Sequence, residues 1–143
     1  MENILGIDLG SVRIGLAITD ALGWMAHPFK TIPRSASSVS QIAHLLEEKS
    51  ITTVVLGLPL KMDGSDGLAA QQCRDFAREL EEQTRATIIL WDERLTTATA
   101  ARYLHEAGRS NKEQKAMIDQ VAAQQILQDW LDAQRSKKEF ASL

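Results

Sequence analysis

Cysteine is all but missing from this chain. Cys73 stands alone, so neither an internal disulfide nor a cysteine-based zinc cage can form. Long apolar runs are missing too, since nothing approaches the roughly 20 consecutive residues that a membrane-crossing helix needs. The N-terminus, Met1-Glu2-Asn3 followed by a strand-like run, lacks the basic start and extended apolar stretch of a secretory leader. A cytoplasmic protein with no membrane association is the expectation. Positive charge is scarce as well. The 16 Lys and Arg are outnumbered by 19 Asp and Glu, for a net charge of −3. That balance speaks against a protein that coats nucleic acid without selectivity. It leaves room for an enzyme whose clustered carboxylates lower the total while local cations hold phosphates. The three histidines offer no metal pair: His27 falls on an expected strand, while His44 and His105 belong to separate helical patterns. No internal repeat or low-complexity stretch is present.

What is there suits one globular domain, 143 residues with 44% hydrophobic and 24% charged residues. Ile4-Leu5-Gly6-Ile7 is a short apolar run ending at Asp8, broken by Gly10 and Ser11. Residues 13–20 resume with partial alternation, and 25–32 form a third expected strand closed by Pro33. Serines in the 35–40 stretch can cap a helix through Ile42, Leu45 and Leu46. Thr53-Val54-Val55-Leu56 reads as a buried strand ended by Gly57 and Pro59. The turn-rich 61–67 loop follows, then a helix over 68–83 with Ala69, Cys73, Phe76, Ala77 and Leu80 on one face. In that setting Cys73 reads as a buried structural thiol. Residues 87–91 make a fifth strand, a helix is expected from Thr96 or Thr97 to Gly108, and a last helix covers 112–135. The 136–143 tail is expected to fray. Three closely linked strands suggest an antiparallel meander, and helix-separated strands suggest parallel crossovers. The expected fold is α/β, a five-stranded mixed sheet flanked by helices, with one domain over 1–135.

Several acids do not fit a core. Asp8 ends an apolar strand beside a glycine turn, where it is either a turn residue bonded to its own backbone or a functional group. Asp119 is the stronger anomaly. At about 100° per residue it falls inside the apolar arc made by Ile118, Ala122, Ala123, Ile126, Leu127 and Trp130, away from Gln120, Gln124, Gln128 and Asp132. An inward carboxylate needs a partner: an arginine such as Arg13 or Arg94, a helix end, or a metal ion. Asp92 and Glu93 close the fifth strand, and alternation turns only one of them toward the site. Carboxylates drawn from two strands and a final helix, without cysteine or a histidine pair, make a hard-oxygen site. Such a site suits Mg²⁺ or Mn²⁺ and phosphodiester cleavage.

Four segments carry a resemblance across nearly the whole chain: GIDLGSVRIGLAITD (6–20), VVLGLPLKMDGS (54–65), WDERLTT (91–97) and IDQVAAQQIL (118–127). Together, in this order and spacing, they resemble the signature blocks of the YqgF/RuvX family. The resemblance implies an RNase H-like fold, similar in outline to the RuvC Holliday junction resolvases. It implies a nuclease maturing the 5′ end of 16S ribosomal RNA, with structured RNA and ribosomal particles as partners. Resolution of branched DNA, or a catalytically idle RNA- or ribosome-binding adaptor, are the alternatives. The family's acids map onto Asp8, Glu93 and Asp119 as catalytic and metal-binding residues. RuvC-like enzymes place an acid at the end of the fourth strand, where this chain has Gly57-Leu58-Pro59. The third acid must then come from the fifth strand, and Glu93, one methylene longer than Asp, would bridge the gap. Arg13, Lys61, Arg94, Lys112 and Lys115 are the candidate nucleic-acid contacts.

Overall fold

A computed structural model of the chain describes residues 3–95 and 112–141. Five strands form one sheet: β1 (Asn3–Leu9), β2 (Arg13–Thr19), β3 (Ala26–Pro33), β4 (Ile51–Leu58) and β5 (Thr87–Asp92). The order across it is β3-β2-β1-β4-β5. β1 pairs antiparallel with β2, and β2 with β3, as tight turns require. β1 and β4, then β4 and β5, pair in parallel because a helix intervenes each time. Those helices are α1 (Ser38–Glu48) and α2 (Leu68–Gln83), and a long α3 (Lys112–Ala141) ends the described chain. The expected mixed sheet flanked by helices is thus present. The expected 96–108 helix lies outside the described residues.

Alternation along the strands sorts the core into two layers. Leu5, Ile7, Ile14, Leu16, Val54 and Leu56 point to the face covered by α1 and α2, against Ile42, Leu46, Phe76 and Leu80. Ile4, Ala17, Ala26 and Val55 point to the other face, where Ala122, Ala123, Ile126 and Leu127 of α3 cover them. Each layer buries branched aliphatic side chains at close to crystal density, the main source of stability in a domain this size. No described helix is long and apolar enough to cross a membrane.

Several expectations shift in detail. The buried face of α2 uses Ala70 with Cys73, Phe76, Ala77 and Leu80, while Ala69 is exposed. The glutamines of α3, read from the sequence as a solvated face, lie against the edge strand. Gln120 donates to Thr31 Oγ1 (3.1 Å), Gln124 donates to the Ala26 carbonyl (3.0 Å), and Gln128 accepts the Ala26 N–H (2.9 Å). Their i, i+4, i+8 spacing aligns them along β3, which reaches beyond the apolar stripe. α3 also runs past Arg135 to Ala141, its last turn carrying Lys138, where a cation suits the helix dipole. Trp24 stands exposed at the β2–β3 turn with the Arg135 guanidinium 5.5 Å over its ring. Trp130 is partly buried against the α3 layer.

Cys73 is buried as expected. Burial, and secondly the charge of Glu93, push its thiol up to about 12. The folded protein should therefore resist a thiol-specific chromogenic reagent at pH 8 and react fully in 6 M guanidinium, about the strength that unfolds even hyperstable domains. Labelling of the native protein at the rate of a simple thiol would contradict this burial.

Candidate active site

Two glycines decide how the acids meet. β1 and β2 pair Asp8 with Gly15 and Gly6 with Ala17, so all four face α3. A Cβ on Gly15 would collide with the main-chain carbonyl of Asp119 and stand 3.0 Å from its Cβ. A Cβ on Gly6 would lie 2.7 Å from Leu127 Cβ. The helix backbone thus rests directly on the sheet, and Asp119 is set down over the residue that pairs with Asp8. Both carboxylates are buried, at 4% exposure for Asp8 and 7% for Asp119. Asp8 is therefore no exposed turn residue.

The third acid arrives from β5. Gly57 pairs with Trp91, and it follows Leu56, the β4 partner of Ile7 in β1; Gly57 is thus the β4 position beside Asp8. A Cβ there would stand 3.0 Å from Glu93 Cδ, 3.1 Å from Glu93 Cγ and 2.7 Å from Ile126 Cδ1. The Glu93 side chain lies back across β4 in the space the glycine vacates, toward the β1 side. Asp92 turns the other way. Its carboxylate is gripped by Arg94, Nη2 to Oδ2 at 2.7 Å and Nε to both oxygens at 3.1 Å, which holds it well below the usual carboxylate range. Glu93 behaves oppositely. Burial first, and the Asp92 charge second, push its carboxyl up to about 7. Between the two neighbours, Glu93 is the one on the Asp8 face. Its signal in the sequence was the glycine at 57, not the acid itself.

Asp119 has the arginine partner that its position demanded. Arg13 Nε donates to Asp119 Oδ2 at 2.8 Å, across 106 residues of sequence. Arg13 shares a β2 face with Gly15, two positions on, which is why it meets α3 there. Arg34, which the sequence did not single out, braces the turn after Asp8: its Nη1 donates to the Gly10 carbonyl (2.8 Å) and its main-chain N–H to the Val12 carbonyl (2.9 Å).

The remaining cations divide. Arg94 is committed to Asp92 and also donates to the Met62 carbonyl at 3.2 Å. Lys61 is exposed at the start of the loop after β4 and runs along Gly67. Lys112 and Lys115 fall in the first turns of α3, but their side chains lie outside the described residues.

A hard divalent ion fits this place in donor chemistry. Three carboxylates, with no histidine or thiol among them, are brought to the α3 face of the sheet. Glu93, half-buried and partly desolvated over Gly57, gains from any counter-charge. Among the described residues, however, no three acid, histidine or cysteine side chains already close on one point. Asp119 Oδ2 accepts from Arg13. A carboxylate has two oxygens, so the Arg13 bond at Oδ2 and a shared ion are compatible.

Comparison with known proteins identifies the family and the fold. A protein named "Putative pre-16S rRNA nuclease" from Halalkalibacterium halodurans is 44% identical over 137 residues, covering 93% of this chain and 98% of that one. A relative of the same name from Myxococcus xanthus is 47% identical over 133 residues, covering 92% and 88%. Among solved structures, Thermus thermophilus RuvC shares the fold. Alone it matches with a TM-score of 0.55 and 13% identity, over 94% of this chain and 96% of that one. In complex with a Holliday junction substrate it matches with a TM-score of 0.55 and 12% identity, over 89% and 92%. The sheet and its helices are therefore an RNase H-like fold. A family model described as "RuvX: Holliday junction resolvase" matches residues 2–133. With that match over most of its length, the chain belongs to the RuvX family.

Proposed function

We propose that this protein is a metal-dependent nuclease that hydrolyses phosphodiester bonds in RNA, with Asp8, Glu93 and Asp119 as its catalytic and metal-binding residues. The observation that carries the reading is the Glu93 side chain laid over Gly57, on the face shared by Asp8 and Asp119. A partly desolvated carboxylate costs stability, and a cation bound beside it offsets that cost. When bound, Mg²⁺ or Mn²⁺ supplies activation of the attacking water and neutralises charge at the phosphate. The chain's own residues do the rest. Asp8 and Glu93 hold anionic oxygens at fixed positions on a rigid sheet, and Asp119 adds a third from the helix. Arg13, anchored by Asp119, keeps a guanidinium at the rim, where it and Lys61 can hold the scissile strand by its phosphates. The substrate proposed is precursor 16S ribosomal RNA in the cytoplasm, carried by ribosomal particles, following the names of the relatives that match nearly end to end. Cleavage of branched DNA is the second reading, favoured by the description of the matching family. Parallel assays on a 5′-extended 16S precursor and a synthetic four-way DNA junction separate the two.

Three substitutions test the site. Asp8→Asn should lower Mg²⁺- or Mn²⁺-dependent RNA cleavage by more than the ~100-fold typical of losing a ligand's supporting contact, with the unfolding temperature within about 3 °C. Cleavage at the wild-type rate would end the assignment. Glu93→Gln should also abolish cleavage, yet raise the stability of the metal-free protein by about 1 kcal/mol, or ~4 °C, because it removes a desolvated charge. Calorimetry showing a clear loss of stability would argue that Glu93 is structural. Gly57→Ala reads the bridging geometry directly. The added methyl meets the flexible ends of Ile126 and Glu93, so folding should lose only about 1 kcal/mol while activity falls at least ~10-fold. Undiminished turnover in that variant would show that Glu93 does not need the space.

A further inference from the structure

Four large apolar side chains stand exposed at the end of the sheet that carries the acids: Val12, Met62, Leu68 and Met117. Val12 lies in the turn after β1, Met62 and Leu68 follow β4, and Met117 precedes Asp119 by two residues on α3. Met62 is the most exposed of them, at 89%. Single exposed methionines are ordinary. This one sits on a loop built to hold it still. Lys61 N–H donates to the Ser65 carbonyl (3.0 Å), and Gly64 N–H donates to the Lys61 carbonyl (2.8 Å). Asp63 Oδ1 accepts both the main-chain N–H (2.9 Å) and the hydroxyl (2.6 Å) of Ser65. Gly64 turns the chain at a φ of +87°, and the Arg94 guanidinium lies against it. Arg94 then bonds the Met62 carbonyl itself, while Arg74 of α2 holds Asp66 at the far end through Nε (2.7 Å) and Nη2 (3.2 Å). The loop is braced at both ends, and one brace is the residue next to Glu93.

We infer that the 61–67 loop is a nucleobase-contacting finger, with Met62 packing on the face of an unpaired base in the strand being cut. The inference rests on the nuclease reading above and adds the form of nucleic acid that the site takes. Charge favours it. Three arginines around the site already hold carboxylates, Arg13 with Asp119, Arg94 with Asp92 and Arg74 with Asp66. Contact with base faces adds affinity beyond what Arg13 and Lys61 gain at phosphates, and it does not depend on positive charge. A thioether suits that contact, being polarizable and able to pack on any aromatic face without sequence preference. In a duplex those faces are buried in the stack, so the finger selects single-stranded or frayed RNA.

The test uses a fluorescein-labelled single-stranded RNA 12-mer and a duplex of the same sequence, in anisotropy binding and in cleavage. Met62→Ser should weaken binding of the single strand, and raise its KM, by about five- to tenfold, with kcat within about twofold and unfolding temperature unchanged. The duplex should show no such loss, and Met62→Leu should keep most of the wild-type affinity. Raising KCl from 50 to 200 mM should weaken wild-type binding by less than about tenfold, against the 10³–10⁵ expected of a protein making six to ten phosphate contacts. Equal affinity of Met62→Ser and wild type overturns the finger, as does an equal loss on strand and duplex, a wild type that binds neither, or a steep salt dependence. Binding that depends on Met62 without any cleavage would sink the nuclease reading and leave the finger standing.

Discussion

The packing of α3 directly on the sheet, main chain against main chain at Gly15 and Gly6, is the contact on which the rest depends. A helix normally rides about 10 Å above a sheet on a cushion of side chains; here two glycines remove that cushion. The close approach sets Asp119 down beside Asp8, and it lets Arg13 bond the helix at Asp119, about two turns in from its start. It also brings Ile126 down onto Gly57, so that one side of the Glu93 channel is walled by the same helix. A stripe of Ala122, Ala123, Ile126 and Leu127 holds the contact shut from the apolar side, and three glutamines hold it from the polar side.

That packing comes with an electrostatic cost and a way of meeting it. Two carboxylates are buried in a layer otherwise made of aliphatic groups, and a third is drawn in from β5. The Arg13 pair compensates Asp119, as breaking a buried pair by removing one partner is far worse than never having it. Glu93 has its carboxyl raised by desolvation to about 7. Under the proposed function, a divalent ion bound there would offset that cost. The neighbouring Asp92–Arg94 fork resolves the opposite demand, keeping the adjacent acid fully charged, turned away and tied to the loop that carries Met62.

Much of the fold could be read directly. The boundaries of α2 and the order of the strands followed from periodicity and turn residues, because helices and strands of this kind are local patterns. Asp8 and Asp119 were visible as errors in those patterns, a charge at the end of an apolar strand and a charge inside an apolar arc. The glutamine row of α3 misled for the same reason. Periodicity tells which face is polar, but a polar face can dock on an exposed strand edge as well as on water, and only β3's position decides between them.

The amino-acid sequence by itself determined the α/β class, the mixed pairing of the sheet, and the inward turn of Asp119, since each is a consequence of local spacing. Tertiary structure alone decided that Glu93 rather than Asp92 turns to Asp8 and Asp119. Adjacent strand residues are equivalent until a neighbouring strand offers room on one side, and that room is the missing side chain of Gly57. It decided, too, that Arg13 is the partner of Asp119. An ion pair spanning 106 residues has no local signature and exists only because two glycines let a helix lie flat on a sheet.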